Sequence, residues 1–521
     1  MKKKLQSTTA HLIFSVMAIL APAIFNCFNK WWVFIDNTVK IDGFCEMLMV
    51  FVIINAVILN FLTAFKVYKA KLCKKKAYKI LYGITAFLGF ALFVAAFCYC
   101  IPMFFDENAG TLKNTLAETF GKFIPLAAIS YLALFFPAVP CKAKRVISAV
   151  VITCAALWFI NDFFPLTPYK ITSDPMVIDT SEEYSVVFST NDYGTAYVEY
   201  TFEGKDYKIY DHTAGRLNTD KKIHNIPVPY EHLRNNTYKV GSTRVIEDFS
   251  YGSRLGKEIV SEEYTLTYND SDNQTYLVIS DWHTMLDEAN SAIDYLGDYD
   301  AVILLGDSAP SVDYENDVIR NTVQFGGAVS AGTKPIIYVR GNHETRGSFA
   351  NDLPQVLGLD ELYYTTDVGP YSFIVLDSGE DKVDSHREYG GLTTYGSYRA
   401  DMIEWLKTAE ATNDKVITLS HSYRICDVEE ELSLTGWNEI DRIGARLILS
   451  GHTHQCRLLS AENGGKEGEL LTAHPNIIGY MDGGKNGETY IASRLTLTAE
   501  GFTLEAVNNH GEEILKESFT W

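Results

Sequence analysis

In the second half of this chain, apolar runs repeatedly end in residues that can hold a metal ion. TYLVIS precedes Asp281 and His283, AVILLG precedes Asp307, PIIYVRG precedes Asn342 and His343, VITLS precedes His421, and ARLILSG precedes His452 and His454. Runs this short and this rich in Val, Ile and Leu suit strands buried on both faces. Open α/β sheets gather ligands beyond the carboxyl ends of their strands, so residues spread over 174 positions can converge there. Oxygen and imidazole donors without thiolate suit Mn, Fe, Zn or Co, and a carboxylate can bridge two such ions. The residues therefore read as one site for two divalent or mixed-valence metal ions.

The ordered set DxH, GD, GNHE, SHS, GHxH resembles the calcineurin-like metallophosphoesterase superfamily over roughly residues 273 to 521. The resemblance implies an α/β metallophosphoesterase domain over 271–521, built as a two-sheet αββα sandwich. It also implies that Asp281, His283, Asp307 and His454 hold one metal and that Asp307, Asn342, His421 and His452 hold the other. His343 would not be a ligand; it would face the phosphate, where an imidazolium stabilises charge or protonates the leaving oxygen. The activity implied is phosphoric ester hydrolysis by a hydroxide held between the two cations. Arg346 in GNHETRG and Arg424 in SHSYR are candidates for a grip on phosphate oxygens. The polar, Gly-rich stretch from Asp377 to Tyr398 reads as a loop over the site, with His386 its most chemically suggestive member.

Charge divides the chain. Residues 1–166 hold 17 Lys and Arg against 7 Asp and Glu, a net of +10, so the remainder must carry −30 to give the total of −20. The basic part contains apolar stretches near 11–28, 44–65, 80–105, 123–140 and 146–165, each close to the ~20 residues that span a bilayer. They predict an all-α transmembrane region of about five helices, or four if the first stretch, preceded by Lys2, Lys3 and Lys4, is a cleaved signal peptide. Lysines from Lys66 to Lys79, and Lys142, Lys144 and Arg145, mark the cytoplasmic side. The N-terminus is then cytoplasmic and everything after about residue 166 lies outside the cell membrane. The acidic outer portion lacks a basic stripe, which argues against nucleic acid as a partner.

Between these parts, residues 167–270 carry short β-branched and aromatic runs (YSVVFST, TAYVEYTF, KDYKIYD, HNIPVPY, TYKVGSTRVI) with NDYG, EG and RNN turn signals between them, a pattern for a small β-sandwich. Its position, and the segment HLRNNTYKV, resemble the fibronectin III-like domain that precedes the catalytic domain of purple acid phosphatases. Pro310 stands where those enzymes have the tyrosine of their iron chromophore, so no purple colour is implied. VRGNHE also resembles protein Ser/Thr phosphatases, but no DRG follows Asp307. Cys426 and Cys456 are read mainly as packing residues, with an outer role at the site or a mutual bond as alternatives. Met402, Trp405 and Leu406 are read as core.

Together these features predict a membrane-anchored, outward-facing phosphoesterase acting on a phosphorylated small molecule or a cell-envelope phosphoester, with the lipid bilayer as its other partner. The alternative is a membrane sensor or transport-linked protein that uses the phosphoesterase fold for regulation or ligand binding. Asn55, Asn60 and Asp162 are the sparse intramembrane polar groups that favour it.

Overall fold

The computed structural model of the protein describes residues 58, 76–77, 79–88, 91, 167–249, 252–426, 428–461 and 471–521. Most of the five apolar stretches, and Asn55, Asn60 and Asp162, lie outside the described residues. Among the described residues no helix is long and apolar enough to cross a membrane. Tyr169–Val245 and Leu255–Trp521 form one compact unit.

Two sheets build the C-terminal portion, from Gln274 onward. In the first, Gln274–Ile279, Ala301–Leu304 and Pro335–Tyr338 run parallel, and Thr489–Leu497 pairs antiparallel with Gln274–Ile279. In the second, Tyr371–Leu376, Lys415–Ser420, Ala445–Ser450 and Ile478–Met481 run parallel. Their apolar runs are continuous because both faces of each sheet are covered. In the second sheet Phe373, Val375, Ile417, Leu419, Leu447 and Leu449 join the core shared with the first sheet. The alternate residues Ile374, Leu376, Val416 and Ile448 join a second core. That second core takes Met402, Ile403 and Leu406 from helix Tyr395–Thr408 and Trp437 and Ile440 from helix Glu430–Ile443. Met402 and Leu406 are core residues, as the helical spacing predicts.

The strands of residues 176–266 do not stand apart from this portion as a free sandwich. They have a core of their own, including Tyr184, Phe188, Val198, Tyr238 and Leu266. Yet Met176–Asp179 pairs parallel with Pro335–Tyr338, Val177 opposite Pro335 and Ile178 opposite Ile336. That junction merges both segments into one 14-stranded sheet. All four residues of Met176–Asp179 are buried: Met176 and Ile178 join the core between the two sheets, Val177 joins the core of the 176–266 strands, and the edge of the parallel sheet takes the strand's backbone hydrogen bonds. Cys426 and Cys456 are both free thiols.

Candidate metal centre

Seven donor residues converge beyond the carboxyl ends of five strands, three strands from the first sheet and two from the second. Five of these residues have left-handed backbone: Asp281 (φ 48°), His283 (37°), Asp307 (60°), His452 (69°) and His454 (53°). Outside glycine this costs on the order of 1 kcal/mol or more per residue, and such conformations cluster where function requires them. Here the sharp turns swing side chains from the strand ends into one space. Two glycines let the loops close: a Cβ on Gly341 would lie 2.2 Å from Asp307 Oδ1, and one on Gly451 would lie 2.4 Å from Asp281 Oδ2.

Asp281 and Asp307 form the floor. Asp281 Oδ1 has His454 Nε2 at 3.2 Å, His283 Nε2 at 3.9 Å and His421 Nε2 at 4.0 Å. Asp307 Oδ2 has His421 Nε2 at 3.2 Å, His283 Nε2 at 3.5 Å and His343 Nε2 at 3.8 Å. The ligand atoms of Asp281, His283 and His454 lie within 4.8 Å of one another, as do those of Asp307, His421 and His452. Asp281 Oδ1 is buried and accepts no hydrogen bond. A buried carboxylate oxygen ringed by imidazoles and left unpaired fits a cation as its missing partner.

The electrostatics agree with that fit. Burial opposes charge on His421, but the carboxylates of Asp307 and Asp281 outweigh it and raise its pKa to about 10. Burial also opposes ionisation of Asp307, yet His421 holds its carboxyl well below the usual range. Burial pushes His283 down to about 4, so it is a neutral donor. Two carboxylates thus draw positive charge into the centre.

Outer contacts fix the donors. His421 Nδ1–H donates to the Leu305 carbonyl at 2.6 Å, which leaves Nε2 facing inward as the atom a cation would take in place of its proton. His452 N–H donates to Asp281 Oδ2 at 2.8 Å. Asn342 Oδ1 faces His421 Nε2 at 3.2 Å and His452 Nδ1 at 3.1 Å. The opposite amide rotamer would turn its nitrogen to those rings and its oxygen to Arg346 Nη2 at 2.9 Å. Without a cation that rotamer makes more hydrogen bonds; with one, the oxygen-inward rotamer is favoured, because the amide oxygen has a lone pair to give the ion and the NH2 group has none. Glu344 is fully buried and accepts N–H bonds from Asp307 (2.8 Å), Ser308 (2.5 Å) and Gly341 (3.0 Å), tying two ligand loops together. Asp482, also buried, accepts the Ser280 hydroxyl at 2.9 Å, just before Asp281.

His343 lies at the rim. Its Nδ1 donates to the Pro310 carbonyl at 2.8 Å, and Nε2 has Arg346 Nη1 at 3.2 Å. Its ring meets His283 edge-on at 4.7 Å between centroids. His343 also shares a donor cluster with His283 and Asp307, so distance alone does not set it apart from the ligands.

The substrate candidates fare differently. Arg346 reaches the site, but its fork is occupied: Nε and Nη2 meet the two oxygens of Glu380 at 2.6 and 2.9 Å. His386 turns onto its own loop, where Nδ1 accepts the Glu388 N–H at 3.4 Å and the ring lies 5.9 Å from that of Tyr389. Arg424 follows Tyr423 in the bend after His421 and is partly buried. Sequence reading did not single out Glu344, Glu380, Asp381 or Asp482. Glu344 had a signal, its place in GNHE; Glu380 and Asp381 had only their position in the stretch after strand Tyr371–Leu376.

Residues 275–456 match the family described as calcineurin-like phosphoesterase. No curated protein matches the chain. Solved structures similar to it include GAP50, the anchor in the inner membrane complex of Plasmodium, at 13% identity, 48% of this chain, 89% of that one and TM-score 0.35. Another is a conserved uncharacterized protein from Streptococcus pneumoniae at 15% identity, 48% and 98% coverage and TM-score 0.23. A third is a metallophosphoesterase from Sphaerobacter thermophilus at 16% identity, 43% and 84% coverage and TM-score 0.22.

Proposed function

We propose that this chain, which carries a calcineurin-like metallophosphoesterase domain over residues 275–456, is a phosphoric ester hydrolase that works with two metal ions. The observation that carries the reading is the position of Asp307, whose Oδ2 faces imidazoles from both donor groups, His283 at 3.5 Å and His421 at 3.2 Å. Asp281, His283, Asp307 and His454 would hold one ion; Asp307, Asn342, His421 and His452 would hold the other. When bound, such ions polarise phosphoryl oxygens and make water acidic enough to attack near neutral pH.

The chain's own groups then have defined tasks. The Pro310 carbonyl fixes the His343 ring through Nδ1–H, so that Nε2 is the atom that can carry a proton to a leaving oxygen. Arg346 Nη1, beside that nitrogen, adds positive charge on the phosphate side of the ring. Supported by the lysines of 66–79, the proposal extends to a multi-pass membrane protein with a cytoplasmic N-terminus and an external catalytic domain. Its substrate would be a phosphorylated small molecule or a cell-envelope phosphoester.

The test is hydrolysis by the full-length protein in detergent, stripped with chelator and reloaded with Mn, Fe, Zn or Co in turn. Metal-dependent turnover of nitrophenyl phosphate esters is expected. If no metal restores turnover of any phosphoester in a broad panel, the hydrolase reading fails.

A further inference from the structure

Helix Tyr395–Thr408 carries a fully buried arginine, Arg399, that reaches back to the loop following strand Tyr371–Leu376. Its Nη1 donates to two carbonyls of that loop, Ser378 at 3.3 Å and Glu380 at 2.9 Å. Its Nη2 donates to Glu429 Oε1 at 2.6 Å, just before helix Glu430–Ile443. The same end of helix Tyr395–Thr408 fixes the loop at three more points. Asp384 accepts the N–H groups of Tyr395 at 2.7 Å and Gly396 at 3.1 Å, and the Tyr398 hydroxyl donates to Asp377 Oδ2 at 2.9 Å. The Tyr395 ring packs so closely that a Cβ on Gly379 would lie 2.5 Å from it.

The loop so held carries the Glu380 side chain. Its buried carboxylate takes Nε and Nη2 of Arg346 at 2.6 and 2.9 Å, and Nη1 of that guanidinium lies 3.2 Å from His343 Nε2. A line of direct contacts therefore runs from Arg399 through the backbone and side chain of Glu380 to Arg346 and His343. Net stability does not account for an arginine at its far end. Burying a guanidinium and a carboxylate costs about as much as their attraction returns, and an apolar side chain of similar volume often serves stability as well. A planar fork supplies what an apolar side chain lacks: it holds three acceptors, from two separate segments, in one geometry.

We infer that Arg399 is a positioning residue for the centre: by holding the loop at Ser378 and Glu380 it sets the Glu380 carboxylate, and through it the guanidinium of Arg346 beside His343. The consequence for turnover rests on the hydrolase reading above; the geometry does not. Preorganised charge is effective only where it is aimed, so a shift of about 1 Å in Arg346 costs up to ~10²-fold in rate.

The experiment is a double-mutant cycle between Arg399→Lys and Arg346→Ala on full-length, metal-loaded protein, with a nitrophenyl phosphate ester that wild type turns over. Lysine keeps a charge for Glu429 but cannot span both carbonyls. Arg399→Lys alone should lower kcat by about tenfold with metal content unchanged. In the Arg346→Ala background it should cost less than about twofold, because the group it positions is already gone. The same factor in both backgrounds would mark a merely structural role, and that result, or no loss in either, overturns the inference.

A second readout needs no turnover: the rate at which phenylglyoxal modifies Arg346, followed by peptide mass spectrometry. Arg494, paired with Glu505 at 2.6 Å, is the internal control. Arg399→Lys should speed modification of Arg346 by about threefold or more and leave Arg494 unchanged. An unchanged rate at Arg346, or equal acceleration at both arginines, also overturns the inference. If wild type hydrolyses no phosphoester, the hydrolase reading fails, and the modification rates still decide the positioning. Glu429 is partly exposed, so Glu429→Gln, which loosens the same fork, supplies both measurements with the same outcomes if Arg399→Lys fails to fold.

Discussion

The Glu344 carboxylate accepts the backbone N–H of Asp307 at 2.8 Å, across 37 residues of sequence and inside a fully buried pocket. It also takes the Ser308 hydroxyl at 2.5 Å and the Gly341 N–H at 3.0 Å. Glu344→Ala would leave these donors buried without partners. The expected loss of stability is roughly 3 to 5 kcal/mol, measured by urea unfolding of the detergent-solubilised protein. A loss below about 1 kcal/mol would mean the loops hold their shape without this carboxylate.

Asp307 is the donor shared between both groups, so its replacement should disturb the whole centre. Elemental analysis of the wild-type protein should find about two ions per chain, and Asp307→Asn should lose most of both. A single tightly held ion together with full activity would rule out the two-metal reading.

His343 touches Asp307 and Arg346 but is committed to Pro310 through Nδ1. His343→Ala should keep near-normal metal content while turnover falls roughly 10² to 10⁴-fold. The loss should shrink for nitrophenol leaving groups, which need little protonation. Loss of metal along with activity would instead make His343 a ligand, as its place in a donor cluster with His283 permits.

Metal binding should release protons at neutral pH. In the metal-free protein His421 has its pKa raised to about 10, burial notwithstanding, by Asp307 and Asp281, so it is charged at pH 7.5. Its Nδ1–H stays on Leu305, so a cation must displace the Nε2 proton. Metal affinity should therefore rise with pH up to about 10. Calorimetry at pH 7.5 in buffers of different ionisation enthalpy should report about one proton released from this site in wild type and correspondingly less in His421→Asn. Equal heats in all buffers would count against it.

Membrane orientation has its own check. In intact cells an external protease should cut exposed turns such as Glu203-Gly204 or Ala214-Gly215 and spare the lysine-rich segment from Lys66 to Lys79. Protection of the catalytic portion would reverse the topology.

The sequence by itself determined the elements of the fold that local physics imposes. A strand buried on both faces must be apolar throughout, so TYLVI, AVIL and VITL announced themselves. A donor that must turn inward at a strand end leaves a short signature such as GNHE or GHTH. Hence all seven expected ligands lie together. Tertiary structure alone decided the rest. Met176–Asp179 could have closed a separate sandwich, and only the free edge beside Pro335–Tyr338 drew it into the larger sheet. Arg346 read as a phosphate grip because its sequence shows a guanidinium near His343, but not Glu380 folding back from 34 residues away to take its fork. Local patterning records what the backbone needs at each position; which surface charges finally meet depends on where distant loops land, and no short-range pattern carries that.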